Sequence, residues 1–400
     1  MYLKLEDFLN ITPKVKRHPS FDAIEEFTGI EAITFDGAGR GGQKTKVFAY
    51  RGFPKNAEGP VPAVVLVHGG GGTPYLTWVK QWNDRGYAAI AFSTTGEFPV
   101  RVNAGRTEAE EGPRAERWSY LYGEFLEEGY VAAPKDDFMQ NSEQPLDEQW
   151  MYHAISSAIL AHNVLENDER VDATKIGICG VSWGGVITSL TLGYNSKLAF
   201  AVPIYGAGYL RETAESIGEY FRSGKNPELW LAEDRFDRAK MPILWLCHTA
   251  DANFSLIVNT KSYLDTKNNN DKTRLSNVYN MRHSHYRAWL RNDPLAFADW
   301  VCRGGAAFPQ IRVEGDKVKV SLPEAEMVSV SLFYITERQS YAPNETGKVV
   351  MQQEWQKKEL SVVEGEADAT VTDEMVGHYF ELSAKVGNDE IIVTTPYIEK

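Results

Sequence analysis

Residues 176–185 read Ile176-Gly177-Ile178-Cys179-Gly180-Val181-Ser182-Trp183-Gly184-Gly185, and this stretch decides the fold. Its first half is the apolar run of a buried strand, and residues 184–192 carry the periodicity of a helix. Between them lies a G-x-S-x-G pattern. A strand-to-helix turn tight enough to lift a serine Oγ above the sheet needs small residues two positions before and two after it, which Gly180 and Gly184 supply. The same turn aims the N–H of Trp183 from the positive end of the following helix. G-x-S-x-G alone also describes an ordinary glycine turn, and the flanking strand and helix separate the two readings.

Upstream, VPAVVLV at 61–67 is a nearly continuous apolar run bounded by Pro60 and Gly69, as in a parallel strand covered on both faces. A helix at 77–85 and a strand AAIAF at 88–92 follow, which makes a βαβ unit. Strands are also expected at 31–35, 44–50, 200–204, 242–247 and 276–281. Helices are expected at 147–165, as an amphipathic helix, and at 294–302. The first thirty residues read as an irregular lead-in with one short helix, and 96–117 as a long polar loop.

After Gly305 the composition changes. Short strand-like runs at 310–313, 317–322, 327–335, 349–351, 359–363, 378–386 and 390–394 alternate with turns such as Glu314-Gly315-Asp316, the pattern of a β-sandwich. The expected division is therefore 1–305, an α/β catalytic domain with an N-terminal extension, and 306–400, an all-β sandwich-like domain.

A serine nucleophile needs a base oriented by a carboxylate, and two oxyanion donors. Strand 61–67 ends in His68-Gly69-Gly70-Gly71-Gly72, a loop whose glycines bring backbone N–H groups close to a ligand. It lacks the lysine and serine or threonine of a P-loop. Gly69 and Gly70 are its candidate donors beside Trp183, with His68 bracing the loop. Asp251, just beyond the strand at 242–247, is the candidate acid. The base is His283 or His285 in Met281-Arg282-His283-Ser284-His285-Tyr286, with His283 preferred and the other histidine structural or pocket-lining. His248 precedes the acid, and His378 lies in the β-rich tail. Trp78, Tyr205, Phe254 and Trp289 are candidate substrate-lining rings, and Trp118, Trp183, Tyr209 and Tyr286 belong to the same wider set.

Together, His68–Gly72, the long helix ending before Val171–Gly185, the segment AFAVPIYGAGYL at 199–210 and the H-x-H loop resemble bacterial α/β-hydrolases of the acetyl xylan esterase and cephalosporin-C deacetylase-like group. These are relatives of dienelactone hydrolases and of the catalytic domains of prolyl oligopeptidases. The resemblance spans roughly residues 30–305. It implies an α/β-hydrolase fold, Ser182 as nucleophile, Asp251 as acid, His283 as base, and an oxyanion hole from Trp183 and a glycine of 68–72. The implied activity is that of a serine esterase on acetylated xylan or related oligosaccharides, with no cofactor and no metal. A small-molecule carboxylesterase or lactone hydrolase is the alternative, and a carbohydrate-binding or structural protein is the alternative from a different class. The lead-in and the polar stretch at 96–117 depart from compact esterases and bear on the pocket.

The remaining arithmetic excludes other classes. Forty-two Lys and Arg against 55 Asp and Glu give a net charge of −13, a field that repels phosphate backbones, so no nucleic acid partner is expected. No run reaches the roughly 18 apolar residues of a membrane span. Cys179, Cys247 and Cys302 are too few and too scattered for a disulfide framework. Absence of propeller repeats disfavours a prolyl oligopeptidase. A homodimer through the β-domain is a further expectation. Met1–Asn10 lacks an apolar leader core, so the compartment stays open between periplasm or exterior, with a trimmed signal, and cytoplasm.

Overall fold

The computed structural model describes residues 3–18, 29–102, 120–124, 128–135, 142–213, 216–222, 227–347 and 349–400. The chain enters its main sheet through antiparallel strands Lys16–Arg17 (β1), Ile30–Asp36 (β2) and Lys46–Gly52 (β3). Val61–Val67 (β4) and Ala88–Phe92 (β5) follow, linked by helix Leu76–Asp84. Glu97–Val102 (β6) and Tyr120–Glu124 (β7) pair with each other outside that sheet. Thus part of the expected polar loop at 96–117 is a strand, and 103–117, like Trp118, lie outside the described residues.

Val171–Val181 (β8), Ala201–Ile204 (β9), Leu244–His248 (β10) and Arg274–Val278 (β11) complete a sheet of order β1-β2-β3-β5-β4-β8-β9-β10-β11. From β5 to β11 the pairings are parallel. The chain runs outward from β4 to β5, then returns to β8 on the other side of β4. That reversal opens a crevice at the carboxyl ends of β4 and β8, where doubly wound sheets bind their ligands. Residues 68–72 and Ser182 both lie there.

Helix Trp150–Glu166 differs from the expected amphipathic one, since nearly every residue in it is buried. The lead-in covers its outer face: Tyr152 Oη donates to Leu3 O at 2.8 Å, and Asn163 Nδ2 donates to Phe8 O and Ile11 O at 2.8 Å each. The strand expected at 276–281 is β11 and ends earlier, because Asn280 takes a turn conformation with φ 55°.

After helix Asp293–Cys302 the chain is β-rich. Gln310–Glu314 (β12), Lys317–Ser321 (β13), Glu326–Ile335 (β14), Tyr341–Pro343 (β15), Val349–Met351 (β16), Gln356–Leu360 (β17), Glu366–Asp368 (β18), Gly377–Val386 (β19), Asp389–Thr394 (β20) and Ile398–Glu399 (β21) follow. They form the sheets β12-β13-β18, β17-β14-β19-β20 with β21 on β19, and β15-β16. The protein therefore combines an α/β-hydrolase fold with a C-terminal all-β, sandwich-like domain. We propose the boundary at 305/306, between the last helix and β12.

The core continues across that boundary without a break. Polar contacts reinforce the junction: Ile392 N donates to Asp293 Oδ1 at 2.7 Å, Tyr397 N to Thr260 Oγ1 at 3.0 Å, and Arg85 bridges Asp299 at 2.7 Å and Asp389 at 2.5 Å. Among the described residues no helix is long and apolar enough to cross a membrane. All three cysteines are buried and free.

Candidate active site

Ser182 stands at the turn between β8 and helix Trp183–Thr191 with φ 59° and ψ −122°, a conformation that L-residues adopt only where the surroundings enforce it. Its N–H donates to Ile204 O at 2.8 Å, and its carbonyl accepts from Val186 N at 3.0 Å. The flanking glycines are sterically required. A Cβ on Gly180 would meet Gly184 O at 2.1 Å, and one on Gly184 would meet Val67 O at 2.0 Å.

The loop after β11 brings His283 over the serine. His283 Nε2 lies 2.8 Å from Ser182 Oγ, and Nδ1 lies 2.6 Å from Asp251 Oδ2. Because the carboxylate only accepts, the ring proton sits on Nδ1 and Nε2 is left to accept the serine proton. Aromatic rings hold the imidazole in this plane: Tyr205 stacks on it at 4.6 Å and 24°, and Phe254 at 5.8 Å and 16°. Tyr205, itself at φ 50°, donates its hydroxyl to Arg282 O at 3.0 Å and so anchors the loop just before the base.

Asp251 is buried after β10. Its Oδ1 accepts from Asn253 N at 3.0 Å and Phe254 N at 3.2 Å, and His248 Nε2 faces Oδ2 at 3.3 Å, a longer contact than that of His283. Burial by itself pushes the carboxyl up; the His248 and His283 rings beside it outweigh that and hold the acid well below the ordinary carboxylate range. His248 Nδ1 accepts from Ala250 N at 3.2 Å, which places the ring's proton on the nitrogen facing Asp251. The sequence sets this second histidine aside as a base because it precedes the acid, and carries no sign that its ring faces the carboxylate. Among the described residues, His248, Asp251 and His283 also form the cluster whose ligand atoms lie close enough, within 4.8 Å, to share a cation. Here those atoms are engaged with one another and with Ser182.

On the opposite wall, His68 Nδ1 bonds Gly69 O at 2.8 Å while its Nε2 accepts from Thr94 N at 3.1 Å, so His68 braces the glycine loop. The expectation that Gly69 offers its N–H to an oxyanion is corrected, because that N–H donates to His285 Nε2 at 2.8 Å. Gly70 lies against the Trp183 indole, where a Cβ would come within 2.5 Å of Cδ1. Trp183 opens its helix, and its N–H takes no part in the helical ladder. His285, the alternative base, faces Gly69 rather than the serine.

The four candidate substrate-lining rings are also corrected. Trp78, Tyr205, Phe254 and Trp289 are between 0% and 7% exposed, which leaves no face open to a ligand. Tyr205 and Phe254 clamp His283, and Trp78 stacks on Trp289 at 6.1 Å. The half-buried ring beside the serine is that of Trp183, which stacks with Tyr220 at 6.1 Å and Phe221 at 6.0 Å.

The fold and this serine-centred crevice define a serine hydrolase acting on ester bonds. The family profile described as the Dienelactone hydrolase family matches residues 47–284, more than half of the chain, and the protein belongs to that family. No curated protein matches it in sequence. Among solved structures, an acetyl xylan esterase from Paenibacillus sp. R4 is 16% identical, with 72% of this chain and 98% of that one covered and a TM-score of 0.46. Acetyl xylan esterase 1 from Thermoanaerobacterium sp. JW/SL YS485 is 14% identical over 73% and 93%, at 0.46. A Mycobacterium tuberculosis puromycin-hydrolyzing peptidase is 18% identical over 73% and 40%, at 0.47.

Proposed function

We propose that Ser182, His283 and Asp251 are the catalytic triad of a carboxylic ester hydrolase, with Gly70 and Trp183 as oxyanion donors, and that the natural substrate is an acetyl ester on xylan or a related oligosaccharide. The observation that carries the triad is His283, which bridges Ser182 Oγ at 2.8 Å and Asp251 at 2.6 Å from one ring.

The chemistry follows from these contacts. Ser182 Oγ attacks the ester carbonyl as its proton passes to His283 Nε2, and the Nδ1–H bond to Asp251 stabilises the imidazolium. The carbonyl oxygen becomes an oxyanion held by backbone N–H groups that are already oriented, so little reorganisation is needed at the transition state. Collapse breaks the ester C–O bond, and the departing alcohol takes the proton from Nε2. A water then gives its proton to the same nitrogen, attacks the acyl-enzyme, and releases the carboxylic acid with Ser182 restored. No step needs a cofactor.

One observation favours a second reading. With Trp78, Tyr205, Phe254 and Trp289 buried, four of the eight rings expected beside a sugar are not exposed to one, and a small carboxylic ester or lactone fits the same machinery. Acetate release from acetylated xylan and xylo-oligosaccharides, beside 4-nitrophenyl acetate, separates the readings when wild type and Ser182→Ala are compared. Serine-dependent release from both supports the carbohydrate deacetylase. Cleavage of the model ester alone moves the substrate to small esters and lactones. Activity retained in Ser182→Ala contradicts the triad.

A further inference from the structure

His285 follows the base by two residues and faces the other wall of the crevice. It opens the short helix His285–Trp289, whose cap Ser284 accepts from Arg287 N at 3.2 Å. Its Nε2 accepts the Gly69 N–H at 2.8 Å, which requires a neutral ring with its proton on Nδ1. The glycine loop wraps the ring closely, since a Cβ on either Gly69 or Gly72 would come within 3.2 Å of its Cε1. Tyr75 at 5.0 Å and Trp289 at 6.2 Å pack beside it. Burial, then the nearby His68 and His283, push its pKa down to about 3, so it stays an uncharged acceptor through neutral pH.

The consequence lies in the peptide unit that follows. Gly69 C=O and Gly70 N–H belong to one planar group, so fixing the carbonyl fixes the direction of the N–H. Gly69 O is held by His68 at 2.8 Å and by the Gly72 N–H at 3.0 Å, and Gly69 N, in the preceding peptide unit, by His285 at 2.8 Å, so both units that meet at the Gly69 Cα are fixed and its φ and ψ with them. Glycine backbone would otherwise be the loosest in the chain. We propose that His285 is a positioning residue: by accepting the Gly69 N–H it ties the base loop to the glycine loop and holds the Gly70 N–H on the oxyanion position. The proposal rests on the triad reading.

The test is steady-state hydrolysis of 4-nitrophenyl acetate across pH by His285→Ala, His285→Gln and His285→Leu, with melting temperature as the fold control. His285→Ala lowers kcat by about 100-fold, the scale of one misplaced oxyanion donor, with KM changed by less than about threefold. The acidic limb of the pH profile stays in place, because His283 is still the base. His285→Gln, whose Oε1 can accept the same N–H, recovers at least about tenfold of the loss, and His285→Leu recovers none. Should the alanine variant not fold, the glutamine and leucine pair decides. Equal kcat in that pair, a kcat within about twofold of wild type in a folded His285→Ala, or a displaced acidic limb each overturns the proposal. Ser182→Ala run alongside keeps the two readings apart: a dead serine variant beside a fully active His285→Ala removes this inference alone, whereas an active serine variant removes the triad.

Discussion

Two of the buried carboxylates, Asp251 in the α/β domain and Glu381 in the β-domain, meet opposite fates. Asp251, at the carboxyl edge of the parallel sheet, is surrounded by donors from His283, Asn253 and Phe254, with His248 beside them, and is held ionised. Glu381, on β19 of the C-terminal domain, has an Oε2 without a hydrogen-bond partner among the described residues, and burial pushes its pKa up to about 7. Lys357 and Arg291 pull it down, but less than burial pushes it up. Burial alone therefore does not decide the charge; the donors built around the group do. One domain has spent backbone and imidazole donors on a carboxylate that must stay charged, and the other leaves its carboxyl ready to take a proton.

The largest effect comes from breaking the first case. Asp251→Asn presents His283 with an amide and destabilises the tautomer that accepts the serine proton, so kcat falls by about 10⁴-fold with KM little changed. A kcat within about tenfold of wild type would contradict the acid's role. The variant also reports stability. Asp251 has a depressed folded-state pKa, so its contribution is present above the unfolded value near 4 and is lost as pH falls further. Asp251→Asn is accordingly less stable than wild type at neutral pH, and the gap narrows in acid.

Glu381 has the reverse sign. Its folded-state pKa is raised from 4.5 to about 7, so the stability it contributes is present below the lower value and lost as pH rises through the higher one. Glu381→Gln, which copies the protonated shape, is more stable than wild type by about 3 kcal/mol near pH 8 and equal to it near pH 4. Thermal unfolding across that range measures the difference; a gap independent of pH contradicts the assignment.

The smallest effect sharpens the comparison at Asp251. His248→Ala removes the ring that faces Oδ2 at 3.3 Å and leaves the shorter His283 contact in place, so kcat falls by only about two- to fivefold with KM unchanged. His248→Gln keeps a donor and moves less. A kcat unchanged in His248→Ala would assign His248 to packing alone.

The contrast also explains what was legible in the sequence. β4 and β5 are readable because strands covered on both faces are apolar throughout, and the elbow is readable because no residue other than glycine fits at 180 and 184. β17, Gln356–Leu360, is mostly exposed and charged and carries no such signal, so the strand expected at 359–363 is displaced by three residues. The choice between His283 and His285 is invisible locally: both follow the same strand, and only the path of the loop aims one at Ser182 and the other at Gly69. The aromatic residues mislead for a related reason, since a tryptophan in a core and one in a cleft have the same neighbours in sequence. Helix Trp150–Glu166 reads as amphipathic because its cover, the lead-in, lies 149 to 155 residues upstream.

Reaction of the full chain with a fluorophosphonate, followed by intact mass and peptide mapping, asks whether Ser182 is the activated nucleophile. One adduct per chain is expected, on Ser182, absent from Ser182→Ala and formed at least about 10³-fold more slowly in His283→Ala. An adduct on another residue, or labelling of Ser182→Ala at the wild-type rate, would contradict that role.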